Sequence, residues 1–141
     1  MSINDSIGFM MSNTSRRMSQ LLNIQFQPYA ITTEQFSLLN KLVDEDGITQ
    51  RELSFRIEKD PTNVTRMLDQ LERKGWIRRE ANRDDRRSFL IYVTDEGRRM
   101  NEQLAPIEAE FVLAVFSVLS EEERTLLKQA CAKVNQQLNT L

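Results

Sequence analysis

Apolar residues recur at helical spacing along most of the chain, and capping residues mark where each run begins. Ile3, Ile7, Met10 and Met11 form the first stripe. Thr32 with Gln35, Thr49 with Glu52 and Ser120 with Glu123 fit the capping-box spacing, in which side chains satisfy the free N–H groups of a first turn. Asp60 before Pro61 is a further start, an acceptor followed by a residue with preset φ. Gly47 and Gly75 fall where helices end. The pattern predicts helices over roughly 5–27, 33–45, 50–57, 61–74, 95–118 and 121–139, with a kink or break at Pro106. Between Gly75 and Thr94 the period changes. Trp76 and Ile77 lead into Arg78, Arg79 and Glu80, residues 81–87 form a polar turn, and Phe89 to Val93 is rich in β-branched and aromatic residues. Two short strands around a basic turn make a hairpin.

Two short helices in tight succession, 50–57 and 61–74, followed by a basic hairpin, make a winged helix-turn-helix. At 100° per residue, Val64, Met67, Leu68 and Leu71 share one face of the second helix, which must pack through Leu53, Phe36 and Leu39. The opposite face carries Thr62, Arg66, Asp69, Gln70 and Arg73, with Asn63 and Thr65 at its margins. A major-groove reader needs such a narrow exposed face with donors and acceptors for base edges. By itself the helix reads equally as an amphipathic surface helix with a solvated face; the basic hairpin after it shifts the balance towards DNA.

Charge sharpens this picture. The net charge of −2 does not suggest nucleic acid, but its distribution does. Residues 49–99 carry thirteen basic and ten acidic side chains, while both flanks are acidic. Arg78, Arg79, Arg83, Arg86 and Arg87 fall within ten positions. A basic centre between acidic flanks fits a local phosphate-facing surface; charge alone also fits a solvated loop. Several chemistries drop out. With no histidine, Ser-His and Cys-His pairs and His-based metal sites are excluded. The single cysteine, Cys131, allows no intrachain disulfide. There is no Gly-rich phosphate loop, and Asp84 and Asp85 sit among arginines, which disfavours a divalent metal. We expect no enzyme activity, no cofactor and no metal. The longest strictly apolar run is Phe111 to Phe116, too short to span a bilayer, and no secretory leader is visible, so the expected compartment is the cytoplasm.

Thr49-Gln-Arg-Glu-Leu53, Asn63-Val-Thr-Arg66, Leu71-Glu-Arg-Lys-Gly-Trp-Ile77, and Asp85-Arg-Arg-Ser88 leading into Val93-Thr-Asp-Glu-Gly97 resemble the MarR family of bacterial transcription regulators. The resemblance spans nearly the whole chain. It implies a homodimer that binds palindromic double-stranded DNA operators as a repressor and is often released by a small ligand or oxidant. It also implies roles by position. Arg66 with Thr62, Asn63 and Thr65 forms the base- and phosphate-contacting set, with Gln70 and Arg73 further along the helix. Arg86 is the wing arginine that enters the minor groove, flanked by Arg83 and Arg87. Asp85 orients a neighbouring arginine, Arg66 or Arg87; otherwise it is a turn residue. The competing reading is a winged-helix interaction module without DNA binding.

The terminal helices are more apolar than a winged helix requires. Leu104, Ile107, Phe111, Val115 and Val118 are followed by Leu126, Leu127, Val134 and Leu138. A dimer buries such faces, and Ile7, Phe111, Val115, Leu127, Val134 and Leu138 are the expected interface. The expected organisation is an N-terminal helix over 1–31, a winged helix-turn-helix over 32–97 and C-terminal dimerisation helices over 98–141. The fold is mainly α with a small β-hairpin wing. Cys131 reads as a small buried hydrophobe, since the peroxide-sensing relatives resemble one another in an N-terminal cysteine that is absent here. The resemblance places a phenolic or carboxylate ligand between the first helix, the long helix and the DNA-binding module. Arg16 and Arg17 are candidate anion anchors there, and Met10, Met11, Met18 and Phe26 candidate wall residues, with solvation and core packing as their ordinary uses.

Overall fold

The capping residues set the element boundaries. A computed structural model describes residues 6–57 and 61–141. The Ser6 hydroxyl accepts the Phe9 N–H at 3.1 Å and starts α1, Ile7–Phe26. A single 3-10 turn, Gln27–Tyr29, leads to Ala30 in the left-handed region and then to α2, Thr33–Asp44. Thr32 and Gln35 close the predicted reciprocal capping box. β1 (Ile48–Thr49), α3 (Gln50–Ile57) and α4 (Pro61–Arg73) follow, with the Thr49 hydroxyl accepting the Glu52 N–H at 3.2 Å. Asp60, expected to cap α4, lies outside the described residues, as does Ile3.

Gly75, at φ 79°, ends α4 in a Schellman motif. Its N–H bonds the Glu72 carbonyl, and the Trp76 N–H bonds the Leu71 carbonyl at 3.1 Å. Gly47 lies two residues beyond Glu45, the C-cap of α2, in the turn to β1. β2 (Ile77–Ala81) and β3 (Phe89–Val93) form the expected hairpin. The sheet nevertheless has three strands rather than two, in the order β1-β3-β2, because Ile48 and Thr49 pair with Ile91 and Leu90. A two-residue strand leaves no alternation to detect.

Thr94 caps α5, Asp95–Phe116, its hydroxyl accepting the Gly97 N–H at 3.0 Å. The helix runs through Pro106 without the expected break. The missing donor at Pro106 leaves the Glu102 carbonyl without its usual helical partner, on a residue that is exposed. Ser120 and Glu123 form a second capping box at the start of α6, Glu121–Leu138.

The chain divides between Ile107 and Glu108, inside α5. The first unit holds the core. Phe26, Phe36, Leu38, Leu39, Leu42 and Leu53 are buried with Val64, Met67, Leu68 and Leu71 from α4. Ile77, Ile91 and Leu104 complete it. Phe26 meets Phe36 edge-on, with ring centroids 5.4 Å apart. Burial of each such side chain contributes about 1.5–3 kcal/mol, so α4 is held by its inner face. In the second unit, Arg124 Nη1 caps the end of α5 by donating to the Phe116 carbonyl at 3.3 Å, and it also donates to the Leu119 carbonyl of the following turn at 2.8 Å. Among the residues of α6 only Cys131 is half-buried; the rest are exposed. No single helix among the described residues is long and apolar enough to cross a membrane.

Candidate nucleic-acid interface

The four apolar residues of α4 point into the core, so its other face is presented outward. Thr62, Asn63, Thr65, Arg66 and Arg73 are exposed. Arg66 Nη2 donates to Asn63 Oδ1, one turn earlier, at 2.7 Å. The pair holds a guanidinium over the first turns of the helix, where a groove reader needs it. Gln50 at the start of α3 donates to the Thr65 hydroxyl and ties the two helices of the module together. Arg73 lies at the far end, its Nε 3.4 Å from the Asp69 carbonyl.

Gln70 sits differently. The helical wheel puts it on the outer face, but it is half-buried, and its Oε1 accepts from Gln35 Nε2 at 2.7 Å. Lys74 donates to Gln35 and to the Ala30 carbonyl and stands 5.0 Å above the Trp76 ring. Burial pushes its ammonium pKa down. Gln70 and Lys74 thus fasten the end of α4 to the start of α2.

The wing tip is shaped by two short polar side chains. Asn82 Oδ1 accepts the Asp84 N–H at 3.1 Å, and Asn82 Nδ2 donates to the Ser88 hydroxyl at 3.0 Å. Asp85 Oδ1 accepts the Arg87 N–H at 2.9 Å. These side-chain turns replace ladder bonds where the strands separate. The Asp85 carboxylate holds the Arg87 main chain and makes no ion pair with Arg66 or Arg87, the two arginines it was expected to orient. A carboxylate two residues before an N–H closes an Asx turn more readily than it reaches a long, solvated side chain. Arg83, Arg86 and Arg87 are exposed, and none has an acidic partner among the described residues.

Arg79, which sequence reasoning counted only as charge, has the most developed environment at the site. Its Nη2 lies 2.6 Å from Asp69 Oδ1 and 2.9 Å from Glu72 Oε1, and its Nε is 3.4 Å from Glu72 Oε2. The hydrogen bond to Glu72 leads the effects that raise the pKa of Arg79, and it holds the Glu72 carboxyl below its ordinary value. The only signal in the sequence was a pair of acids three apart on α4, facing a strand that begins four residues after the helix.

Two clefts adjoin these residues. One, of about 640 Å³, opens between α3 and the wing, with Arg51, Ser54, Phe55, Arg79, Arg87 and Phe89 in its lining. The other, of about 350 Å³, lies between α1, the start of α2 and α4, and is lined by Ser19, Asn23, Thr33, Gln35, Arg66 and Met67. Neither is lined by Arg16, Arg17, Met10, Met11, Met18 or Phe26. Arg16 donates to Asn13, and Phe26 is fully buried. Of the apolar residues expected to pair two chains, Ile7, Leu127, Val134 and Leu138 are exposed and Phe111 and Val115 half-buried.

Comparison with known proteins agrees with this geometry. Residues 31–89 match the MarR family model. The uncharacterized HTH-type transcriptional regulator YdgJ of Bacillus subtilis (strain 168) is 30% identical over 124 residues, covering 87% of this chain and 76% of that protein. The MepR–DNA complex of S. aureus superposes with a TM-score of 0.86 at 28% identity, covering 97% of this chain and 99% of that one. A mutant MarR from E. coli complexed with operator DNA gives a TM-score of 0.87 at 28% identity, covering 95% and 99%. The protein belongs to the MarR family of winged-helix transcriptional regulators.

Proposed function

We propose that the protein is a sequence-specific DNA-binding transcriptional regulator of the cytoplasm that works as a homodimer on palindromic operators. The observation that carries this reading is the pairing of Arg66, pinned by Asn63 on the outer face of a helix whose inner face is sealed, with the solvated arginines of the wing beside it. α4 enters a major groove, with Thr62, Asn63, Thr65 and Arg66 towards base edges and phosphates and Arg73 at the backbone. Arg83, Arg86 and Arg87 follow the phosphates into the adjoining minor groove, whose narrow form attracts arginine. The DNA complexes of MepR and MarR support this assignment for a chain of the same fold.

Two copies double the interface and impose two-fold symmetry on the operator. The N-terminal helix (1–31) and the C-terminal helices (98–141) supply the contacts between copies, leaving 32–97 to the DNA. Exposed apolar side chains on α1 and α6 support that division. A dimer seated across an operator excludes other proteins from the same DNA, so repression is the direct consequence where operator and promoter overlap. The wing cleft, with cationic Arg51 and Arg87 beside Phe55 and Phe89, suits a small aromatic anion that releases the DNA.

The test is selection of bound duplexes from a random pool, followed by affinity measurements across a salt series. The expected result is a palindromic consensus and a log–log salt dependence of negative slope. Retention of no duplex at low salt would return the protein to the class of interaction modules.

A further inference from the structure

We propose that Arg79 is a positioning residue that locks the wing to the recognition helix and so sets where Arg86 meets the DNA. This rests on the DNA-binding reading above and adds to it a residue that touches no DNA.

The argument starts from where the sheet stops being packed. Ile77 of β2 and Ile91 and Val93 of β3 are buried and anchor the base of the hairpin. Arg79 pairs with Ile91 across the ladder. Beyond that register, Glu80, Ala81 and Phe89 are exposed and Leu90 is only half-covered. A two-stranded ribbon without a packed face is marginal by itself. β1 pairs with β3 only as far as Thr49 and Leu90, one rung beyond Arg79, so Arg79 stands at the base of the segment where the ribbon leaves the module.

The tie is made to the recognition helix itself. Asp69 and Glu72, three residues apart, lie on one side of α4. One guanidinium takes both, reaching Glu72 through two nitrogens. This fork geometry fixes direction as well as distance, which a lysine ammonium cannot do. The side chain is 21% exposed, so the contact is better shielded than an ordinary surface pair. Two carboxylates already neutralise the charge, which leaves Arg79 poorly suited to a phosphate. From Arg79 to Asp84 at the wing tip the chain spans at most about 17 Å, so a small change of angle at the tie moves Arg86 appreciably.

The experiment combines relaxation of the free protein with a double-mutant cycle on the selected operator. Parent, Arg79→Ala, Arg79→Lys, Arg86→Ala and the Arg79→Ala/Arg86→Ala double variant are compared, with thermal melts to confirm folding. In free Arg79→Ala the backbone amides of residues 82–88 should lose order while those of α4 keep theirs. Operator affinity should fall about tenfold, within the range of coupling in a shared network, and Arg79→Lys should fall between this variant and the parent. Adding Arg86→Ala should then cost little more, because a misplaced Arg86 has already lost its contact. A role confined to stability, or simple repulsion of DNA by the freed Asp69 and Glu72, predicts instead that the two losses multiply. Multiplying losses, or wing amides unchanged in Arg79→Ala, overturn the proposal. Should the parent bind no duplex, the DNA-binding reading falls, and the free-protein relaxation still decides whether Arg79 holds the wing.

Discussion

Gly97 passes so close to Trp76 that a Cβ built on it would stand 2.1 Å from the Trp76 carbonyl oxygen and 2.9 Å from Val93 Cγ1. The same carbonyl accepts the Thr94 N–H at 3.1 Å, and the Thr94 hydroxyl donates to the Gly75 carbonyl at 2.7 Å. The start of α5 is thus clasped against the end of α4. Gly97→Ala must push two backbone segments apart, since the obstacle is main chain and not a flexible side chain. Overpacking typically costs about 1–3 kcal/mol, and a backbone clash should reach the upper end. The urea midpoint should fall accordingly; an unchanged midpoint would show that the clasp yields freely.

Asp85 is exposed beside the proposed DNA surface, where removing a negative charge should tighten binding by charge counting alone. Its carboxylate also holds the Arg87 N–H. Asp85→Asn keeps that acceptor and drops the charge, so it should bind operator at least as well as the parent. Asp85→Ala drops both and should bind more weakly than Asp85→Asn. Equal affinities for the two variants would reduce Asp85 to a loop charge.

Much of this surface was legible in the sequence because its signals are local. The face of α4 follows from a period within thirteen residues, and the capping boxes from pairs three apart. What the sequence hid depends on distant partners. Gln70 shares the outer face by angle, but its partner Gln35 lies thirty-five residues away. Arg79 is one of five arginines in a cluster until Asp69 and Glu72 are seen beside it. Gly97 was noticed through the family motif, whereas its physical reason is a carbonyl twenty-one positions earlier. β1 was missed because its two residues also serve as the entry to a helix.

Helix and wing should differ in how they lose affinity. Arg66→Ala removes a group placed for base edges and should cost about 1–3 kcal/mol per bidentate contact, with relaxed sequence preference. Arg86→Ala removes a solvated wing charge, and its loss should be largest where A·T-rich flanks narrow the groove. The log–log salt slope should become shallower by about 1 for each cation lost from a phosphate path. Affinities across salt, on operators with A·T-rich and G·C-rich flanks, separate the two; the same flank dependence for both variants would contradict the assignment.

The Arg79 contacts give the module an acid-sensitive component. The hydrogen bond from Arg79 is the main reason the Glu72 carboxyl lies below its ordinary value of 4.5. Between the folded and ordinary values the unfolded chain binds more protons, so this contribution is fully present above the ordinary value and is lost as pH falls through the folded one. Glu72 is 41% exposed, so solvent screening keeps the effect small. Glu72→Gln should lower the melting temperature at pH 7, and the gap to the parent should narrow on acidification towards pH 3. A constant gap would assign the loss to packing rather than charge.

The apolar face of α6 supplies the test of assembly. Leu126, Leu127, Val134 and Leu138 are all substantially exposed on a single copy, Val134 at 45%. Because Val134 is not enclosed by its own chain, Val134→Asp should cost little in the fold of one copy. The position stands in the middle of α6, away from its capping box at Ser120 and from the Arg124 cap on α5, so neither device is disturbed. In a dimer built on this face the new carboxylate would be buried near its own symmetry mate. An unpaired buried charge costs several kcal/mol, and two like charges cost more. Sedimentation at low micromolar concentration should therefore show a monomer with native far-UV circular dichroism, and operator affinity should drop with the loss of two-site binding. A Val134→Asp protein that still sediments as a dimer would move the interface off α6.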